Sequence, residues 1–220
     1  MPWICRIVNF SAITEHHDRI AIVASGPSAR GFSAPPGVTV IAVNGTIEWL
    51  PTADYWFTLD PGQRNRARML NRRPDTVYFA AVPSTFGTAS APLAGMRQPA
   101  PAGIRYLLRM AGNGVLSAKT GLSDHPGQIH TGNSAYGALG LAYLMGARRI
   151  ALFGVDASHA RRIEGGRSSN LDHLPALFAT AASQLDGAGV EVVNASPGSA
   201  IECFPKMTMG DALQWLSTNW

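Results

Sequence analysis

The sequence is poor in cysteine, lysine and charge. Its two cysteines, Cys5 and Cys203, build no disulfide framework and are expected to be reduced thiols. No cysteines and histidines stand at the spacing of a zinc site. Charged residues are 15% of the chain against 46% hydrophobic ones, which excludes a disordered polypeptide. No apolar run approaches the roughly 20 residues of a membrane span. The start, Met1-Pro-Trp-Ile-Cys-Arg6, lacks the apolar core of an export signal, so a cytoplasmic protein is expected. Two phosphate fingerprints are also missing. Gly26-Pro-Ser-Ala-Arg-Gly31 is not Gly-x-Gly-x-x-Gly, and it lacks the Lys-Ser/Thr that ends a P-loop. Both an ordinary NAD enzyme and a P-loop ATPase are disfavoured.

What is present suffices for one domain over residues 1–220 with a full core. Of 18 basic residues only Lys119 and Lys206 are lysines, and the net charge is +4. Arginine suits bidentate phosphate and carboxylate recognition. A GC-rich genome gives the same bias, so a mildly basic surface is the simpler reading. The functional reading is an anionic substrate or nucleic acid.

Residues 20–24 form a short, β-branched run without alternation, which reads as a strand buried on both faces. It stops at Ser25-Gly26-Pro27-Ser28, a small-residue turn where an open α/β sheet binds its ligand. Gly26 allows close approach, Ser28 offers a hydroxyl, and successive free N–H groups would form an anion nest. Further strands are expected at 38–43, ending on Asn44-Gly45; 55–59, ending on Asp60-Pro61; 76–81; 149–155, ending on Gly154-Val155-Asp156; and 190–194. Residues 104–110 fit a strand or a helix.

Helices are expected at 62–73, 131–145, 174–185 and 209–216, with a short helical piece at 46–50. The second carries Thr131 as N-cap and Gly146 as its stop. Arg64, Arg66, Arg68, Arg72 and Arg73 on the first read as a solvated face ahead of a phosphate or nucleic-acid patch. Residues 1–18 read as an arm or edge strand, and 83–128 as a long loop region or inserted lid. Alternating strands and helices give a Rossmann-like, doubly wound α/β fold with a mostly parallel sheet.

Asn-Gly and Asp-Pro are ordinary turn chemistry taken singly. Four polar strand ends in register would converge on one crevice. The helix start Thr131-Gly132-Asn133-Ser134 adds free N–H groups and a partial positive charge. Gly132, Gly137 and Gly140 leave this helix little bulk, for tight packing or for a ligand.

The motifs Ala24-Ser-Gly-Pro-Ser28, Ala42-Val-Asn-Gly45, Leu59-Asp-Pro61, Thr131-Gly-Asn-Ser134 and Leu152-Phe-Gly-Val-Asp156 stand in a telling order. The order resembles that of the bacterial sialyltransferase-like glycosyltransferases. It also resembles the archaeal 6-hydroxymethyl-dihydropterin pyrophosphokinase-like proteins, which occur in phages and bacteria as well. The tail Val192-Val-Asn-Ala-Ser-Pro-Gly-Ser-Ala-Ile201 is similar to that group's last strand and turn.

The resemblance implies a nucleotide-activated donor, with Ser25, Gly26, Pro27 and Ser28 at its phosphates and Asn44 and Gly45 near its sugar or phosphate. It places Thr131, Gly132 and Asn133 on the nucleotide. Gly154 belongs to the same wall, and Asp156 lies near the ribose or a metal. In the sialyltransferases a histidine after this last motif is the base, so His173 is preferred here, with His159 as rival. Their tyrosines are absent from 157–173, where Arg161, Arg162 and Arg167 stand instead.

The first expectation is therefore a glycosyltransferase using a nucleotide sugar, with no firmly implied cofactor. Its acceptor hydroxyl could belong to a glycan, a small molecule or a modified nucleic acid. The second is an ATP-using pterin-type pyrophosphokinase with magnesium on Asp60 and Asp156. The third is a nucleotide- or nucleic-acid-binding module without chemistry.

Overall fold

The computed structural model describes residues 8–91, 96–112, 118–130, 132–167 and 171–218. They build one eight-stranded sheet with every pair parallel: β1 (Arg19–Val23), β2 (Thr39–Val43), β3 (Tyr55–Thr58), β4 (Val77–Val82), β5 (Arg105–Met110), β6 (Gln128–His130), β7 (Arg149–Phe153) and β8 (Glu191–Asn194). The order across the sheet is β6-β5-β4-β3-β2-β1-β7-β8. The chain winds outward from β1 to β6, then returns to place β7 on the other side of β1. The reversal puts the topological switch point between β1 and β7.

The unbroken apolar runs form strands because both faces are covered. Ile20, Ala21, Ile22 and Val23 are fully buried. Ile20 and Ile22 join one core with α2 (Ser134–Leu144) and α3 (Leu174–Gly187). Ala21 and Val23 join the opposite core with Met69 of α1 (Gln63–Leu70) and Ala212 and Leu216 of α4 (Met209–Ser217). Side chains alternate between faces along a strand, so the run has to be apolar throughout.

Helix α2 crosses the sheet from β6 to β1 and is buried from Ser134 to Ala142. A methyl group on Gly137 would stand 2.8 Å from the Phe57 ring, so that glycine is fixed by packing. At Gly140 a methyl would meet only ordinary contacts, 3.7 Å from Ile129.

Several boundaries differ from expectation. The helical piece after β2 is a 3-10 turn over Asn44–Glu48. The segment 104–110 is a strand, β5, and β6 follows it unannounced: three residues at a sheet edge carry too little pattern to read. Residues 83–128 therefore contain β5 and lead into β6, the two strands most remote from the switch point. Within this segment Phe86 and Met96 are buried, and the Phe86 and Tyr106 rings stack 5.6 Å apart. Of the N-terminal arm, Phe10 forms a single parallel bridge to Tyr106, while residues 1–7 lie outside the described ones.

Of the arginines expected on a solvated face, Arg64 and Arg72 are exposed, while four of the five make contacts within the fold. Arg66 donates to Pro99 O, Arg72 to Met69 O and Ala102 O, and Arg73 to Leu50 O. Arg68 pairs with Glu48 at 2.8 Å. Arg66, Arg68, Arg72 and Arg73 thereby tie α1 and its end to the neighbouring loops.

Candidate active site at the sheet switch point

A cleft opens where the turns after β1 and β7 part. It is lined by Ser25, Gly26 and Pro27 from the first turn, Gly154, Asp156 and Ser158 from the second, Asn44 after β2, Asn133 and Ser134 at the start of α2, and Arg162. Seven of the residues expected from sequence thus share one wall: Ser25, Gly26, Pro27, Asn44, Asn133, Gly154 and Asp156.

The β1 turn is held by hydrogen bonds and does not present the expected nest at Gly26 and Ser28. Gly26 N–H donates to Gly154 O at 2.9 Å. Ser28 N–H donates to Asp156 Oδ2 at 3.1 Å, and Ser28 Oγ donates to Asp156 Oδ1. Ser28 Oγ also meets Ser196 Oγ at 2.7 Å. Both oxygens of Asp156 therefore serve as a clamp that joins the turns after β1, β7 and β8. Gly26 is required by this clamp, since a methyl there would lie 2.5 Å from Asp156 Oδ2 and inside contact with Gly154 O. Gly154 has φ +66, a left-handed conformation that favours glycine.

Asn44 is the most specifically oriented polar group of the wall. It is a non-glycine residue at φ 53, a conformation asparagine tolerates. Its Oδ1 accepts from Thr58 Oγ1 at 2.7 Å and from Asn65 Nδ2 at 3.1 Å, and its carbonyl accepts from Trp56 Nε1 at 2.7 Å. With both oxygens engaged, the carboxamide orientation is fixed and Nδ2 is the group left to donate into the cleft. Asn65 is in turn bonded to Thr58 Oγ1 and Asp60 O, and receives Arg68. Thr58 and Asn65 were missed from sequence. The one signal for Asn65 was a short polar residue on an arginine-rich helix, and it proves to be buried.

The N-cap of α2 is Asn133, whose side chain accepts from Ala135 N at 2.8 Å. Thr131, expected in that role, lies outside the described residues. Ser134 Oγ accepts from Leu59 N, which fixes the helix start against β3. Gly132 is not on the wall. It has φ 143, and a methyl on it would meet Leu177 at 2.7 Å, so packing accounts for it.

The remaining candidates stand apart. Asp60 is exposed and caps its own turn through Gly62 N at 3.1 Å. Its neighbour Arg109 donates to Leu59 O; burial pushes that guanidinium below its ordinary value and Asp60 opposes the shift. Asp60 does not line the cleft with Asp156, and among the described residues no three His, Cys, Asp or Glu side chains gather as metal ligands. With Asp156 tied to Ser28, the two carboxylates do not fit a shared magnesium site.

His173 precedes α3 with Nε2 3.4 Å from Gly132 O, between the wall residues Leu171 and Leu174 but not itself on the wall. His159 is exposed and pairs with Asp172 at 3.4 Å. Gly45 lies under the segment 161–167 rather than in the cleft.

No helix among the described residues is long and apolar enough to cross a membrane. No family model and no curated protein matches the chain significantly. Solved structures of similar fold include the MAf glycosyltransferase from Magnetospirillum magneticum AMB-1, at 17% identity and TM-score 0.54 over 93% of this chain. This chain covers 35% of that one, about a third of its length. They also include the sialyltransferase CstII from Campylobacter jejuni, at 11% identity and TM-score 0.47, covering 87% of this chain and 86% of that one. At these identities the likeness is one of fold.

Proposed function

We propose that this protein is a transferase that takes a nucleotide-activated donor, and that the donor is a nucleotide sugar. The observation that carries the reading is the position of the cleft at the β1–β7 switch point, where open α/β sheets bind nucleotides. The start of α2 faces the same cleft and favours negative charge. Asn44 Nδ2 and Arg162 supply donors around it. A glycosyltransferase among the solved structures of this fold supports the choice of a sugar as the transferred group.

On this reading the phosphates lie between the β1 turn and the start of α2, and the sugar lies toward Asn44. Asp156 holds the turn in shape and neither carries a metal nor attacks. His173 takes the proton of the acceptor hydroxyl as its oxygen attacks the anomeric carbon. The sugar–phosphate bond breaks at the same time, and its electron pair leaves on the phosphate oxygen.

The test is thermal shift with CMP, UDP, GDP and ATP and with their sugar conjugates, each with and without magnesium. A ligand at a hundredfold its Kd stabilises by about 2.7 kcal/mol, well within detection. A nucleotide sugar is expected to raise the Tm without magnesium. A shift given only by ATP with magnesium would refute the reading in favour of a pyrophosphokinase.

A further inference from the structure

The loop after β7 carries donors beside a turn that has used its own. In the β1 turn, Gly26 and Ser28 spend their N–H groups on Gly154 O and Asp156, and Pro27 has none. Ala157 and Ser158 also line the cleft, and neither of their N–H groups is bonded among the described residues. Ser158 Oγ accepts from Ala160 N at 3.4 Å, which leaves its hydroxyl proton to donate. Ala157 stands at φ 47, and Asn44 is the other described non-glycine residue at positive φ. Unlike asparagine, alanine has no polar side chain to gain from this conformation. Asp156 and Ser158 are not at positive φ, so the sign changes twice across three residues. Such alternation turns successive N–H groups to one side, the backbone geometry that holds anions. A strained residue kept on the wall of a cleft points to a use for the strain.

Arg162 follows on the same loop and is the one cationic side chain among the described wall residues. Its backbone is fixed in a tight hairpin: Arg162 N donates to Gly166 O at 3.0 Å, and Arg161 bridges to Arg167. The next residue fastens that hairpin to the β1 turn, since Ile163 N donates to Ser25 O at 3.0 Å. Arg162 is therefore one residue from a bond to the turn that borders the phosphates.

We propose that residues 157–162 hold the phosphate from which the sugar departs, through the N–H groups of Ala157 and Ser158 and the Arg162 guanidinium, and that Arg162 takes up the leaving charge. The inference rests on the nucleotide-sugar reading above and assigns the residues that bear its leaving group. When the bond from the anomeric carbon to the phosphate oxygen breaks, the electron pair stays on that oxygen and the phosphate gains one negative charge. Donors fixed around that oxygen stabilise this charge more than the uncleaved donor. Arg162 does so by hydrogen bonding and charge and gives up no proton. Asp60 and Asp156 do not fit a shared magnesium ion, so the chain's own cation meets the leaving group.

The experiment compares wild type, Arg162→Ala, Arg162→Lys and Arg148→Ala. Arg148 is exposed before β7, at the far end of the strand, and controls for loss of one charge. Calorimetric titration uses CMP, UDP and GDP against cytidine, uridine and guanosine. Arg162→Ala is expected to bind the recognised nucleotide about tenfold or more weakly and its nucleoside within about twofold of wild type, which also shows that the variant is folded. Release of nucleotide from the sugar conjugates, with water as acceptor and EDTA present, is expected to fall further in kcat, by about 10²–10³-fold. Arg162→Lys and added guanidinium at millimolar concentration should each restore part of that loss, and Arg148→Ala should match wild type. Equal weakening toward nucleotide and nucleoside, a kcat of Arg162→Ala within about threefold of wild type, or wild-type release that stops in EDTA would each overturn the assignment and leave the nucleotide-sugar reading standing. A wild-type protein that binds nucleotides but releases none from any conjugate overturns that reading and the leaving-group role with it.

Discussion

Gly26→Ala tests the geometry on which the site depends. At Gly26 the backbone is not in the left-handed region, so alanine is excluded by space alone. Its methyl would lie 2.5 Å from Asp156 Oδ2 and 2.6 Å from Asp156 Cγ, and closer still to Gly154 O. The Gly154 carbonyl is held by Gly26 N itself, so it cannot move aside without losing that bond, and Asp156 can yield only by releasing Ser28. Overpacking of this kind costs about 1–3 kcal/mol, and loss of a charged hydrogen bond adds about 1.5 kcal/mol or more. A total near 3 kcal/mol lowers the Tm by roughly 6–12 °C in a chain of this size. Gly187→Ala is the control: it ends α3, no atom lies within 4 Å of the added methyl, and alanine suits a helix. Differential scanning calorimetry of the two should show a large loss and a change of at most about 1 kcal/mol. A Gly26→Ala protein melting within 1–2 °C of wild type would refute the close approach of the β1 and β7 turns.

Asn44→Asp keeps the acceptor for Thr58 and Asn65 and removes the donor, so the fold should survive while nucleotide-sugar affinity falls about tenfold or more by calorimetry. His173→Ala should lower turnover by about 10²–10⁴-fold with donor affinity unchanged, and full turnover would move the base elsewhere. Tyr106 and Tyr136 are raised from 10.0, chiefly by burial, with hydroxyls on Pro101 O and Gly121 O. Below pH 10 both states keep these protons. Above it the unfolded chain releases them first, so stability should fall as pH rises, seen as a falling urea midpoint that Tyr136→Phe partly flattens.

The sheet could be read from sequence because its central strands are buried on both faces, which forces the unbroken apolar runs at β1, β2, β3 and β7. The cleft could be read because the runs at β1, β2 and β7 stop at small or polar residues on the same edge, whereas Asp60 after β3 stands apart. What could not be read depends on contacts between distant parts of the chain. Nothing near Asp156 announces that its oxygens belong to Ser28, 128 residues away. Asn65 looks like any polar helix residue until Asn44 and Thr58 are placed beside it. The β6 strand is three residues at an edge.

The clamp also bears on how this site would handle a phosphate. Asp156 puts a negative charge on the wall where an anion is expected, which looks unfavourable. Two hydrogen bonds from Ser28 disperse that charge, and a helix start worth about half an elementary charge faces it across the cleft. Arg162 adds the one cationic side chain among the described wall residues. On the proposed reading, selectivity comes from oriented neutral groups, above all the fixed carboxamide of Asn44. The residues around the cleft fit that demand. Ser196 N donates to Asn194 Oδ1 and Ser199 Oγ to Val155 O, so the tail after β8 buttresses the same turns that Asp156 joins. The rigid part of the site therefore spans the ends of β1, β7 and β8. On the proposed reading the discriminating group lies on the other flank, at Asn44.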